Sequence, residues 1–146
     1  MQTDVNIPFA IGAVLSAIAA LLHLGIIAGG PAWYRFLGAG ERFARAAAQR
    51  KWYPALVTLG IAAVLGIWSA YALAGAGLIG ALPLLRMTLV AITAVYIVRG
   101  LAYAPLVLAT GGRITPFVVW SSFICLAYGL VHLLGLMQRW PALQTT

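Results

Sequence analysis

Two arginines lie inside stretches of the chain that are otherwise apolar, and their side chains could do the most chemistry. Arg86 and Arg99 carry charges that are costly to place in a bilayer, so each marks a candidate functional site. The chain has nine lysines and arginines but only two acidic residues, Asp4 and Glu41. Carboxylates therefore cannot pair with both arginines within the membrane. An unpaired arginine offers a fork of N–H donors that fits a phosphate or a carboxylate.

Other polar residues are expected near Arg99. Tyr96 and Tyr103 lie within one helical turn of it and on broadly the same face. At 1.5 Å per residue, His23 and Arg99 each lie roughly 24 Å from the end of their segment on the side of the chain termini. The sequence thus predicts a ligand-binding site formed by His23, Tyr96, Arg99, Tyr103 and Ser121, with Thr58 at a similar depth.

The elements that must position these residues are long apolar segments. Hydrophobic residues make up 64% of the 146 residues and charged residues 8%, whereas soluble domains have about 25% charged residues. A helix of about 20 apolar residues spans the hydrocarbon core of a bilayer. The sequence predicts an all-α, polytopic integral membrane protein whose single domain, 1–146, is an antiparallel bundle of four transmembrane helices, at about 7–28, 53–74, 83–104 and 114–137.

Glycine and proline mark the expected ends of these segments. The cluster Gly29-Gly30-Pro31 predicts the end of the first segment, and Pro105 predicts the end of the third. Five further glycines inside the segments predict close contacts between helices; they are Gly12, Gly60, Gly66, Gly100 and Gly129.

The connection between the first two segments is the main polar stretch and carries the orientation signal. Strong helix formers run from Glu41 to Lys51, with Glu41 four residues before Arg45, so a short interfacial or cytoplasmic helix is expected. This connection holds five basic residues, and the connection after the third segment holds Arg113. By the positive-inside rule both face the cytoplasm. Both termini are then outside, and a bacterial inner membrane is the expected location.

The last segment carries a polar stripe. Ser121, Cys125, Tyr128 and His132 follow at spacings of four, three and four, which places them on one face of a helix. This face should contact protein rather than lipid. Cys125 is the only cysteine, and its apolar surroundings favour a packing role over a nucleophilic one.

The two histidines raise the question of a haem held between helices. By the same count along the helices, His23 and His132 differ in depth by roughly 15 Å. Both could not reach one iron, so the depth difference argues against haem and the cofactor stays unassigned. His132 falls in an outer polar group and is expected to be a hydrogen-bonded residue of the bundle; the other members of that group are Ser69, Tyr71, Arg86 and Tyr128.

The number of segments and the basic first connection resemble the membrane-associated eicosanoid and glutathione metabolism family. That family has a basic run followed by asparagine and glutamate at the start of its second helix. The matching stretch, from Arg45 to Pro54, has neither residue. The resemblance is one of topology, and it transfers no residue roles.

The main functional hypothesis is a membrane protein that binds an amphiphilic, anionic ligand of lipid or isoprenoid type near its cytoplasmic side. One alternative is a membrane transferase with His23 or Tyr96 as acid-base group and Arg99 as anion clamp. Another is a structural or accessory subunit of a membrane complex. Membrane lipids are the expected partners, a homo-oligomer is compatible with the glycines, and the basic residues are assigned to orientation rather than to nucleic acid.

Overall fold

The structure, a computed structural model, describes residues 5–144. Within that range the chain forms helices and no strand. The α-helices are α1 (Ile7–Phe36), α2 (Glu41–Ala48), α3 (Tyr53–Ala76), α4 (Leu85–Ala109) and α5 (Pro116–Arg139), followed by a 3₁₀ turn, Ala142–Gln144. All except α2 are long and apolar enough to cross a membrane. The prediction of an all-α chain with four such helices is confirmed.

The first helical run ends at its glycine-proline cluster, as predicted. Gly30 adopts φ 64° and ψ −149°, which breaks the helical geometry, but α1 resumes and continues to Phe36. Pro31 immediately after the break lacks an N–H that would in any case have no helical partner there. The cluster therefore ends one helical run and starts another, so α1 consists of two helical parts joined at a kink.

The prediction that Pro105 ends the third segment is wrong, because α4 continues through Pro105 to Ala109. Proline removes one backbone hydrogen bond, which transmembrane helices can accommodate by local adjustment. The helix ends where Gly111 takes φ 74°. There the N–H of Gly112 donates to the carbonyl of Val107 at 2.8 Å, as in a Schellman motif.

The short helix α2 ends by the same motif with a residue other than glycine. Arg50 has φ 56°, and the N–H of Lys51 donates to the carbonyl of Ala46 at 3.0 Å. This stops α2 at Ala48, before the predicted end at Lys51. The left-handed backbone at Arg50 is less favourable than it would be for glycine, and it fixes where the basic residues after α2 emerge.

Contacts among the described residues divide the chain into two compact units. The major unit contains the described part of Met1–Leu15 and of Trp68–Thr146, and thus includes all of α4 and α5. The minor unit, Ser16–Ile67, contains most of α1, all of α2 and the first part of α3. That the whole chain acts as one domain stays a prediction.

In the major unit, small residues let helices approach closely. A methyl group on Gly100 would lie 2.8 Å from the backbone nitrogen of Leu126, and one on Gly129 would lie 2.9 Å from that of Ile97. These glycines allow the backbones of α4 and α5 to meet, as is common in membrane helices. Gly60 and Gly66, by contrast, have no neighbouring atom within 4 Å of the place where a methyl group would lie, so the predicted packing role is not found for them.

Asn6 joins several helix ends of the major unit. Its Oδ1 accepts from the N–H of Phe9 at 3.0 Å and so caps the start of α1, while its Nδ2 donates to Oε1 of Gln138 at 2.9 Å. Its backbone N–H donates to the carbonyl of Ala76 at 3.0 Å. Nη2 of Arg139 donates to the same carbonyl at 3.2 Å. The start of α1 and the ends of α3 and α5 therefore lie together.

The minor unit is centred on Tyr34, which is 2% exposed and packs with Ile26 and Ala44. Its hydroxyl lies 3.2 Å from Oγ1 of Thr58. Thr58 donates its own hydroxyl proton to the carbonyl of Pro54 at 2.8 Å, so Tyr34 is the donor to Thr58. This chain of hydrogen bonds links α1 to the beginning of α3.

Replacing Asn6 with alanine should lower the free energy of unfolding by about 2 kcal/mol, because it removes a helix cap and a side-chain hydrogen bond worth about 1 kcal/mol each. Asn6→Asp keeps the acceptor for the cap and loses the donor to Gln138, so about half of the loss is expected. Unfolding in mixed detergent micelles, followed by circular dichroism, measures both. Equal stability of Asn6→Ala and the native chain would contradict the capping role.

Candidate functional site

Arg99 lies on α4 and contacts two of its predicted partners, Tyr103 and Ser121. Its Cζ is 3.5 Å from the ring centroid of Tyr103, a cation–π contact within about one turn of the helix. Its Nη2 donates to Oγ of Ser121 on α5 at 3.5 Å, the outer limit for a hydrogen bond. Ser121 in turn donates to the carbonyl of Val118 at 3.2 Å. The structure thus brings together Arg99, Tyr103 and Ser121.

The second terminal nitrogen of Arg99, Nη1, is buried and has no hydrogen-bond partner. Among residues 5–144, the ion pairs are those of Glu41 with Arg35 and with Arg45, so no described carboxylate neutralises Arg99. A buried donor without an acceptor costs about 1–3 kcal/mol, and more when the group is charged. Arg99 therefore offers an unused charged donor to an anionic group.

Beside Arg99, the surface of α4 forms an open groove of about 420 Å³. The surface of its walls is apolar, and it is formed by Ala94, Val95, Val98, Arg99, Ala102, Tyr103 and Leu106. A cationic group at an apolar groove is complementary to a molecule with an anionic head and a hydrocarbon tail. This combination is the main geometric feature of the site.

Tyr96 belongs to a different group of side chains. Its ring centroid lies 5.1 Å from that of Trp68, 5.4 Å from Tyr128 and 5.3 Å from the imidazole of His132. Tyr96 therefore packs against rings of α3 and α5, although it is only three residues from Arg99 on α4. We call Trp68, Tyr96, Tyr128 and His132 the aromatic group.

His132 is the most enclosed member of the aromatic group, with no exposed surface. Its Nδ1 lies 2.8 Å from the carbonyl oxygen of Tyr128, and its Nε2 has no hydrogen-bond partner. Phe9 meets the imidazole edge to face at 6.2 Å. A methyl group on Gly12 would lie 2.7 Å from Cε1 of His132, so Gly12 makes room for the ring. His132 is thus hydrogen-bonded within the bundle, as predicted, through its Nδ1 and the carbonyl of Tyr128.

His23, the remaining predicted site residue, belongs to the minor unit. Its Nδ1 lies 2.7 Å from the carbonyl oxygen of Ala19, one turn earlier in α1. That bond is local to the helix and leaves the ring partly exposed. Its participation in ligand binding stays a prediction.

The polar stripe of α5 lies on the side that contacts α4. Ser121, Cys125 and Tyr128 are partly buried and His132 is fully buried, whereas Phe123 and other residues between them are exposed. Ser121 contacts Arg99, and Tyr128 and His132 contact Tyr96. The expectation that this face meets protein is thus fulfilled within the chain itself.

Arg86, the second intramembrane arginine, lies near the start of α4. Its Cζ is 4.2 Å from the ring centroid of Trp140, which follows α5. The arginine thus has an aromatic partner at a helix end, where a long side chain can also reach lipid headgroups. It has less need of a ligand than Arg99.

Two contributors were missed at the level of sequence. Trp68 joins the aromatic group, and its signal was a tryptophan in the middle of an apolar segment instead of at its end. Asn6 caps α1, and its signal was an asparagine two residues before Pro8, the arrangement that starts helices. In the described part of the chain, histidine, cysteine and acidic side chains form no cluster of three that could hold a metal ion.

These features define a class: an all-α protein with four helices able to cross a membrane and an arginine without a described carboxylate partner on one of them. Comparisons with known protein families, with curated proteins and with solved structures found no match. The resemblance to the eicosanoid and glutathione metabolism family therefore stays one of topology, and function is argued from the chemistry of the site.

Gly12→Ala should destabilise the protein by about 1–3 kcal/mol, because the new methyl group displaces the imidazole of His132 from a closely packed position. Gly60→Ala is the matched control, since it adds the same group where no atom is near and improves helix propensity by up to about 1 kcal/mol. Unfolding in mixed micelles compares the two variants. If Gly12→Ala were as stable as Gly60→Ala, the close contact with His132 would be wrong.

Proposed function

We propose that this protein binds an amphiphilic, anionic ligand, of lipid or isoprenoid type, at Arg99 near the cytoplasmic side of a bacterial inner membrane. The observation that carries the proposal is the buried Nη1 of Arg99, which has no acceptor and belongs to a side chain that lines an apolar groove. A membrane-spanning segment retains an uncompensated charge at a cost of several kcal/mol. A bound anion would offset that cost.

The chemistry of recognition follows from the arginine and its neighbours. Two terminal nitrogens can donate in parallel to two oxygens of a phosphate or carboxylate. The ring of Tyr103 restrains the plane of the guanidinium, and Ser121 orients Nη2 from α5. Because the low-dielectric surroundings strengthen such bonds, one well-placed arginine can supply much of the affinity for the head group.

The hydrocarbon part of the ligand would lie along α4. The groove beside Arg99 is walled by Val95, Val98 and Leu106, and burial of each CH₂ group contributes about 0.8 kcal/mol relative to water. Because lipid tails already surround the protein, burial of the ligand tail adds little affinity. The groove instead positions the ligand and selects it by shape, while the arginine selects it by charge.

The proposed setting is an antiparallel bundle with both termini outside. The meeting of the start of α1 with the ends of α3 and α5 supports this topology. The contact of Arg86 with Trp140 adds the start of α4 to the same end. The five basic residues between the first two segments support an inside location of that connection. Arg99 then lies towards the cytoplasmic leaflet.

Arg99→Gln should weaken binding of phosphatidic acid, presented in phosphatidylcholine nanodiscs, by roughly 30-fold, since a charge-assisted hydrogen bond is worth about 2 kcal/mol. Arg99→Lys should give an intermediate value because lysine keeps the charge and loses the fork. Arg86→Gln is the matched control for removal of an intramembrane charge. Native mass spectrometry measures the bound fraction in each case.

Unchanged binding by Arg99→Gln would overturn the proposal. The same spectra, recorded on protein extracted gently from its own membrane, also test the alternatives. Recovery of a stable complex with a different protein and no small-molecule adduct would favour an accessory subunit. Turnover of the adduct that is lost on His23→Ala would favour a transferase.

A further inference from the structure

The minor unit has more basic side chains than Glu41, its carboxylate, can pair with. Glu41 pairs with Arg35 at 3.1 Å and with Arg45 at 3.9 Å. The hydrogen bond from Arg35 holds the pKa of Glu41 below its ordinary value, so this carboxylate is ionised at neutral pH and fully engaged. Three other basic residues of the unit form no ion pair with a described carboxylate; they are Arg42, Arg50 and Lys51.

Two of these cations emerge together at the end of α2. The left-handed backbone of Arg50 and the hydrogen bond from Lys51 to Ala46 fix the direction in which the chain leaves the helix. Trp52 follows immediately and is 74% exposed. A tryptophan beside two cations is the typical composition of a segment at the headgroup level of a membrane.

A groove of about 490 Å³ begins at Trp52 and lies between the α1 and α3 parts of the minor unit. Leu24 and Ile27 of α1 form one wall, and Leu56 and Leu59 of α3 form the other. The walls are apolar and open to the side. Their dimensions and chemistry suit a hydrocarbon chain whose polar end is next to Trp52.

We propose that the minor unit binds an anionic phospholipid of the cytoplasmic leaflet, with one acyl chain in this groove and the phosphate held by Arg50 and Lys51. The charge complementarity selects the occupant. A lipid with net negative charge neutralises the two cations, whereas a zwitterionic lipid brings its own ammonium group towards them. This site is separate from the one at Arg99, which belongs to the major unit.

The test uses the full-length protein in detergent micelles with phosphatidylglycerol or phosphatidylcholine as the added lipid, followed by native mass spectrometry. We expect preferential retention of phosphatidylglycerol that weakens as ionic strength rises. The double variant Arg50→Asn, Lys51→Gln should bind phosphatidylglycerol about 30-fold more weakly, because each charge lost near the surface weakens binding by about fivefold. Asparagine is chosen because it tolerates the left-handed backbone at position 50.

Arg113→Gln is the matched control, since it removes one cation from a connection in the major unit and should leave the retention of phosphatidylglycerol nearly unchanged. A Trp52→Ala variant tests the rim of the groove and should weaken retention without removing charge. Equal retention of both lipids by the native chain, or unchanged binding by the folded double variant, would overturn the proposal. Circular dichroism confirms folding of each variant.

The two proposed sites can fail separately. Loss of phosphatidylglycerol binding in the double variant with Arg99→Gln unaffected supports the site in the minor unit alone. The reverse pattern supports the site at Arg99 and contradicts the one proposed here.

Discussion

The shortage of carboxylates is the constraint on which the polar structure of this protein depends. In residues 5–144 the ion pairs all involve Glu41, which serves Arg35 and Arg45. The other arginines of the apolar helices must find partial negative charges elsewhere. Arg139 uses the carbonyl of Ala76 at the end of α3, where the helix dipole is negative, and Arg86 uses the face of Trp140. These cations connect helix ends through carbonyl and aromatic partners. Arg99 lies away from these ends, and its partners, Tyr103 and Ser121, leave one nitrogen unused.

The two units solve the problem of charge differently. In the major unit Arg86, Arg99 and Arg139 each lie against protein, so each affects the packing of a helix. In the minor unit the basic residues are on α2 and its flanks, where water and headgroups can reach them. Exposed ion pairs such as that of Arg35 with Glu41 contribute little to stability. The value of these residues lies in their location, because positive charge on a loop determines which side of the membrane it occupies.

The sequence predicted what hydrophobicity alone determines. Four apolar runs predicted four long helices, and the spacing of Ser121, Cys125, Tyr128 and His132 predicted the face of α5 that meets protein. It failed where a local signal has two outcomes. Pro105 could end a helix or be accommodated within one, and tertiary surroundings decide. Sequence spacing placed Tyr96 near Arg99 but did not indicate its ring partners on α3 and α5, and its part in ligand binding stays a prediction. The bond from Asn6 to Gln138 and the particular neighbours of each glycine depend on partners far away in sequence, which a single chain does not reveal.

Arg99 and His132 both have a buried nitrogen without a hydrogen-bond partner, yet they differ in what could satisfy it. The imidazole is enclosed by Phe9, Gly12 and Tyr96, so a ligand could reach Nε2 only if these residues moved. The buried nitrogen of Arg99 belongs to a side chain that lines an open groove. An unsatisfied imidazole can also be neutral, whereas an arginine stays charged. The energetic demand for a partner is therefore greater at Arg99, which is why the ligand site is proposed there.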